Sequence, residues 1–438
     1  MDYRLMLMKT TWNAGRLALT LLATLFFTEA GAQQPVFPGA EGFGVNTPAG
    51  RGGHIFYVTS LADNGPGTLR EAISHPLPRR IVFEVSGVIV LNSRLFIRNP
   101  YVSVYGQTAP PPGITLKGHP VFVQTHDVLI QHLRIRIGDD QPVVNMQAQN
   151  MDAISVLAPP SLRYSYPDTI GTYNVVIDHC STSWTIDEAI SCFDVSDVTF
   201  SNCIFAEALD ASKYVPEPHS MGPFTGRSKH LAFGNNLTAH IASRNFKFGG
   251  GTEVVCWNNV IYNSRWIGIE VENLDKRTPP VASILANLVR QGPDSRKGTR
   301  YPVWINRVTE KARVYVDGHR CDYYDGDPWS CVNQDSSAAL ARVDEPPIMF
   351  NPITVRPQEQ VLDWVLQNAG AWPAMRDAVD KRIIREVKSR TGKIINSQTE
   401  VGGMPEVAEN KRRLKAPKDR KAFAGWLRSY TEAVEKGN

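Results

Sequence analysis

The chain has few cysteines, little net charge and hardly any long apolar run, and each scarcity removes a class of function. Its six cysteines in 438 residues form no Cys-x-x-Cys pair, and no His-rich spacing accompanies them, so no motif points to zinc. Lys and Arg outnumber Asp and Glu only by 47 to 43. So even a balance gives no case for nucleic acid, and many basic residues crowd into one late cluster, Lys411-Arg-Arg-Leu-Lys415 to Lys421, which reads as a solvated helix or tail. The one extended apolar run, residues 17–27, is too short to span a bilayer. It follows Lys9 and Arg16 and precedes Ala30-Gly-Ala32, the layout of an export signal cut after Ala32. Residues 1–32 are therefore expected to be removed, lowering the net charge of +4 by one and leaving a secreted chain, extracellular or periplasmic, with no membrane span.

What the chain does have is a repeat. The register Val175-Val-Ile-Asp-His179-Cys returns as Val198-Thr-Phe-Ser-Asn202-Cys, Leu231-Ala-Phe-Gly-Asn235-Asn and Val254-Val-Cys-Trp-Asn258-Asn, at spacings of 23, 33 and 23 residues. Val128-Leu-Ile-Gln-His132 lies 47 residues before His179, two coils of similar length, and Val102-Ser-Val-Tyr-Gly106 lies 26 before that. Ser283-Ile-Leu-Ala286-Asn and Val314-Tyr-Val-Asp-Gly318 continue the pattern less tightly. Short β-branched strands ending in Asn or His at a period in the low twenties predict an all-β solenoid, a parallel β-helix, with Asn side chains bonding the next coil at the turns. A β-sandwich would repeat at half that period. His179 is expected to stack inside the coil.

The segments around the repeat follow turn chemistry. Residues 59–67 read as a loop, and Thr68-Leu-Arg-Glu-Ala-Ile73 as a short helix that caps the open end of the first coil. Insertions near 139–172, 208–228 and 264–280 are expected to carry the site, because loops on one face of a solenoid usually do. The β-helix is placed at residues 33–345. Residues 346–438 form a C-terminal extension with helical spacing over 358–370, 372–389 and 423–435. In an exported chain Cys321 and Cys331, flanking a polar loop, are the best disulfide pair. Cys180 and Cys203 fall one coil apart and either stack or bond, while Cys192 and Cys256 read as buried thiols.

Several stretches in this order resemble the secreted bacterial pectate lyases of polysaccharide lyase family one. They are Phe37-Pro-Gly-Ala-Glu-Gly-Phe-Gly44, Gly65-Pro-Gly-Thr-Leu-Arg-Glu-Ala72, Tyr105-Gly-Gln-Thr-Ala-Pro110, Ile177-Asp-His-Cys-Ser-Thr-Ser-Trp184 with Asp187-Glu188, and Ser243-Arg-Asn-Phe-Lys247. Asn368-Ala-Gly-Ala371, Arg376-Asp-Ala-Val-Asp380 and Thr391-Gly-Lys-Ile-Ile-Asn396 follow, so the likeness covers most of the mature chain. The resemblance implies a right-handed parallel β-helix and calcium-dependent β-elimination of an anionic polysaccharide, pectate or a related uronan, by a monomer. It assigns calcium to Asp152, Asp187 and Glu188, hard oxygen donors of the kind calcium takes. It carries the base to Arg244, with Lys247 in place of a second arginine and Phe246 in place of the usual proline.

Chemistry keeps two candidates for the base open, because a guanidinium holds its proton at ordinary pH whereas a lysine near other cations releases one readily. Lys213 and His219 are the residues available to bind substrate carboxylates, together with Lys247. Two further readings stand beside the lyase: an inactive β-helix that binds polysaccharide, and a pectin-type glycoside hydrolase built on paired carboxylates.

Overall fold

The computed structural model describes residues 34–140, 150–164, 171–273, 278–296, 302–322, 326–334 and 336–437. The expected export signal lies outside the described residues. The chain winds through three parallel sheets, which hold ten, eight and nine strands among the described residues. Each coil lays one strand in each sheet: Tyr173–Asp178 in the first, Ser181–Ser183 in the second and Glu188–Phe193 in the third, before Ser196–Ser201 begins the next coil. This is the parallel β-helix that the period predicts.

The register explains the repeat. Ile130, Ile177, Phe200, Phe233, Cys256 and Ile284 pair in line along the first sheet, all buried. Phe200 and Phe233 stack with centroids 5.3 Å apart and planes at 2°. Residues 283–285 and 315–317 stay in the same ladder, so the later coils fit as tightly as the earlier ones. His132, His179, Asn202, Asn235 and Asn258 each follow the last paired residue of a first-sheet strand, with φ of 57°, 49°, 52°, 58° and 52°. The sharp corner to the second sheet demands a left-handed residue, and Asn and His tolerate that conformation better than most.

The hydrogen-bonded Asn ladder, expected at those corner residues, sits one position later. Asn236 Nδ2 donates to Asn259 Oδ1 at 2.9 Å, and Asn259 Nδ2 donates to Asn287 Oδ1 at 2.8 Å and to the Phe233 carbonyl at 2.9 Å. Cys180 and Cys203 occupy the same rung in earlier coils, as free buried thiols. Asn259→Ala strands several buried donors and acceptors, each costing about 1–3 kcal/mol. Chemical denaturation should therefore show a loss of about 3 kcal/mol or more; a loss below 1 kcal/mol would mean the ladder contributes little.

Helix α1 (Leu69–Ser74) covers the open first coil, as its sequence predicts. Thr68 Oγ1 caps it by accepting from Glu71 N, and Leu69 and Ile73 enter the core beside Leu95 and Ile97. Further on come α2 (Ser336–Ala341), α3 (Gln358–Asn368), α4 (Ala378–Ser389) and α5 (Arg420–Lys436). The helix expected from residue 372 starts instead at Ala378, because Asp377 caps it and Pro373 opens a separate short turn.

These C-terminal elements cover the outside of the coils. Leu414 and Phe423 pack on Val82, Tyr105, Leu129 and Val176, the outward residues of the first sheet, while Ile348, Phe350 and Ile353 pack on Val255 and Trp257. Strands buried on both faces read as continuous apolar runs rather than alternating ones. Cys321 and Cys331 form a disulfide.

Candidate functional site

The third sheet was the part hidden in the sequence. Its strands Ile154–Leu157, Met221–Gly226 and Ile269–Glu272 lie inside the three stretches that read as insertions. They are short, follow loops of variable length, and so break the period that the first sheet keeps. The connections entering this sheet bring the candidate residues together.

Asp152 precedes Ile154–Leu157, and the Ile154–Ile190 pairing aligns it with Glu188, the first residue of the next strand. Asp187 precedes that residue. One carboxylate oxygen from each of Asp152, Asp187 and Glu188 lies within 4.8 Å of the others, and all three residues are buried. Such a triad is costly alone. Burial, then the neighbouring Glu188, pushes the Asp187 carboxyl up to about 9, and burial followed by Glu188 and Asp187 raises Asp152 well above the carboxylate range. Asp152 Oδ2 accepts from Ser155 Oγ at 2.7 Å, while its Oδ1 is buried with no hydrogen-bond partner. An orphaned carboxylate oxygen facing two further carboxylates is what a hard divalent cation satisfies, so the donor set fits calcium.

Two nitrogen-bearing side chains reach the triad. Arg244 Nη1 donates to Glu188 Oε1, and His219 Nε2 lies 2.8 Å from Asp187 Oδ1. Arg244 has φ of 52° at the bend before Phe246–Phe248. Its carbonyl is approached so closely by Gly222 that a Cβ there would come within 2.3 Å, which reserves that position for glycine. The Arg244 guanidinium also lies over the Phe224 ring, 4.9 Å from its centroid, and Lys247 Nζ lies 5.2 Å from the same ring.

Lys247 is placed differently from Arg244. Its Nζ is 2.6 Å from Glu272 Oε1 and 3.5 Å from Glu270 Oε2, so its partners are two buried carboxylates rather than the cations that would ease proton loss. Lys213 stands exposed on the 207–220 loop with Nζ 4.9 Å from the Tyr214 ring, whereas His219, on the same loop, turns inward to the triad. Beside them a cleft of about 250 Å³ is lined by Asp210, Pro218, Ser220, Met221, Ala242, Ser243 and Trp266. Asp210 is paired with Arg265. Phe224, Asp210, Trp266 and the Glu270–Glu272 pair were not singled out in the sequence. The available signal was the run Ile269-Glu-Val-Glu272, whose alternation marks a strand with two acids on one face.

No family model matches the chain. A probable pectate lyase C from Aspergillus flavus is 31% identical over 400 residues, covering 88% of this chain and 84% of that protein. A second, from Aspergillus oryzae, is 30% identical over 400 residues with the same coverage. Among solved structures, the cedar pollen allergen Jun a 1 superposes with a TM-score of 0.55 at 19% identity, over 76% of this chain and 92% of that one. A Bacillus pectate lyase in complex with trigalacturonate gives 0.53 at 15% identity, over 76% and 98%. The two structural likenesses carry the fold; the sequence relatives carry the family.

Proposed function

The chain belongs to the pectate lyase family of polysaccharide lyases, and we propose that it is an exported monomer that cleaves pectate by calcium-assisted β-elimination at the Asp152–Asp187–Glu188 site. The observation that carries this reading is the convergence of three buried carboxylates, one with an orphaned oxygen, with Arg244 beside them. The trigalacturonate bound by the Bacillus relative supports a galacturonate polymer as substrate. Export is supported by the Cys321–Cys331 disulfide, which persists in oxidising compartments. No helix among the described residues is long and apolar enough to cross a membrane.

β-Elimination takes the proton from C5 of a uronate and expels the C4 glycosidic oxygen, leaving a C4–C5 double bond. The C5 proton is weakly acidic, so the adjacent carboxylate must be neutralised as the carbanion forms. Asp152, Asp187 and Glu188 would hold a calcium ion there, and such an ion would supply that neutralisation as a Lewis acid. His219 holds Asp187 in place through its Nε2. Arg244 is the base: it stands at the rim of the triad with its side chain 26% exposed, reachable by a chain lying along the third sheet. A guanidinium gives up a proton only where cations outweigh anions, so the working complex must compensate Glu188 by something other than Arg244. Lys247, paired with Glu272 and Glu270, would clamp a neighbouring substrate carboxylate only where that carboxylate takes the place of one of those partners.

Incubating the chain with polygalacturonate and following the ultraviolet absorbance of the unsaturated uronide tests this reading. Product should absorb, and chelator should lower the rate at least about tenfold, with calcium restoring it. Cleavage without absorbance would indicate a hydrolase, binding without cleavage an inactive β-helix, and a rate indifferent to chelator would remove calcium from the site.

A further inference from the structure

A second cluster of donor atoms lies at another corner of the coil, where the first sheet turns into the second. His132 and His179 hold the corner position of adjoining coils and stack with centroids 5.1 Å apart at 17°. Asp178 ends the strand before His179, and Glu435 arrives from the last turn of α5. One ligating atom from each of the four lies within 4.8 Å of the others. None of these residues takes part in the elimination described above.

His132 is the informative member. Its Nδ1 is 2.6 Å from the Ala371 carbonyl, which only accepts, so Nδ1 carries a hydrogen and Nε2 is the atom left to take a proton or a metal ion. That nitrogen is fully buried, makes no hydrogen bond, and lies 3.3 Å from Glu435 Oε1. A lone pair facing a carboxylate oxygen is unfavourable unless a proton or a metal ion sits between them, and at 3.3 Å the spacing is longer than a charge-assisted hydrogen bond prefers. His179 Nδ1 lies 3.7 Å from the same Glu435 oxygen and 2.8 Å from Asp178 Oδ2.

Nitrogen and oxygen ligands about 2.0–2.1 Å from a tetrahedral zinc ion stand roughly 3.3 Å from one another. The three separations, 2.8, 3.3 and 3.7 Å, bracket that value. The surroundings are also built to orient ligands. Ala371 fixes the His132 tautomer, and Asp178 is held by Gln131 at 3.1 Å, Ser201 at 2.7 Å and Asn202 at 3.1 Å.

We propose that His132, Asp178, His179 and Glu435 bind a borderline divalent metal ion, zinc in the first instance, which fastens α5 to the β-helix. Two imidazoles favour zinc, cobalt or nickel over calcium, so the two clusters sort metals by donor type: oxygen only at the triad, mixed nitrogen and oxygen here. The ion ties the corner of two coils to the helix that covers the outer face of the first sheet. The sequence shows no zinc motif because the four ligands come from two coils and the far end of the chain.

The test uses the full chain, stripped with chelator and then titrated with zinc chloride in excess calcium, which keeps the carboxylate triad occupied. Calorimetry should show one equivalent of zinc and a rise of several degrees in melting temperature, and cobalt(II) in its place should give the intense visible bands of a tetrahedral site. Glu435→Gln keeps the size of a partly exposed side chain and should weaken zinc binding at least tenfold, while Asp152→Asn should leave it unchanged. No zinc binding at millimolar concentration would overturn the proposal, as would unchanged binding in Glu435→Gln. A loss in Asp152→Asn would place the ion in the triad instead. If Glu435→Gln lowers the melting temperature while zinc has no effect on either protein, the cluster is a proton-bridged latch and the metal site is refuted.

Discussion

Arg244→Ala is expected to lower lyase turnover by about a hundred- to ten-thousandfold, the range that general base catalysis supplies, while leaving the fold intact. The side chain lies at the rim of the third sheet, donates to Glu188 and rests on Phe224, so its removal takes away little core packing. Arg244→Lys should also be poor, since a point charge on a shorter stem cannot reproduce the planar fork. Lys247→Ala is a harsher change to the fold. Glu272 and Glu270 would be left buried without their partner, a loss of about 3–5 kcal/mol, so its kinetics must be measured on protein shown to be folded. The decisive comparison is turnover at saturating polygalacturonate. If Lys247→Ala abolishes product while Arg244→Ala changes only the apparent affinity, the base is Lys247 and Arg244 is a clamp for substrate carboxylate.

The ease with which the fold is read, and the difficulty of the site, have one cause. The first sheet is buried on both faces and turns a tight corner, so every coil must supply an apolar strand and then a residue that accepts a left-handed backbone. Val175 to His179 and its recurrences write that constraint directly into the sequence. The third sheet answers to weaker constraints. Its strands begin after loops of differing length, and Met221–Gly226 carries a glycine at each of two positions and a proline between them, composition that reads as loop.

Pairing between distant acids and bases is harder still to see. Asp152 with Glu188 follows from strand register, but Lys247 with Glu272 depends on a strand hidden within an apparent insertion. The inward turn of His219, in contrast to the exposed Lys213 six residues earlier, depends on how a proline-rich loop closes. Nothing in residue spacing encodes that closure.

Asp187→Asn should separate stability from function. In the folded chain without metal the Asp187 carboxyl titrates near 9, against about 4 in the unfolded chain, because it is buried and faces Glu188. A group raised in this way contributes its full stability below the unfolded value and loses it as pH climbs through the folded one, since ionising it inside the cluster costs more than ionising it in water. Metal-free protein should therefore lose melting temperature steadily from about pH 5 to pH 9. The amide cannot ionise and can still accept from His219 Nε2, so Asp187→Asn should make that decline shallower, with Asp152 carrying the remainder, and melt higher than the parent at pH 8. The same substitution removes one of the three carboxylates proposed to hold calcium. The calcium-induced rise in melting temperature, worth about 2.7 kcal/mol when calcium is a hundredfold above its dissociation constant, should largely disappear, and turnover should fall by about a hundred- to a thousandfold. Differential scanning fluorimetry across pH, with chelator and with calcium, measures both halves. A variant that keeps the parent's response to calcium would show that Asp187 does not hold the ion, and a metal-free parent whose stability is flat from pH 5 to pH 9 would show that the triad carries no such strain.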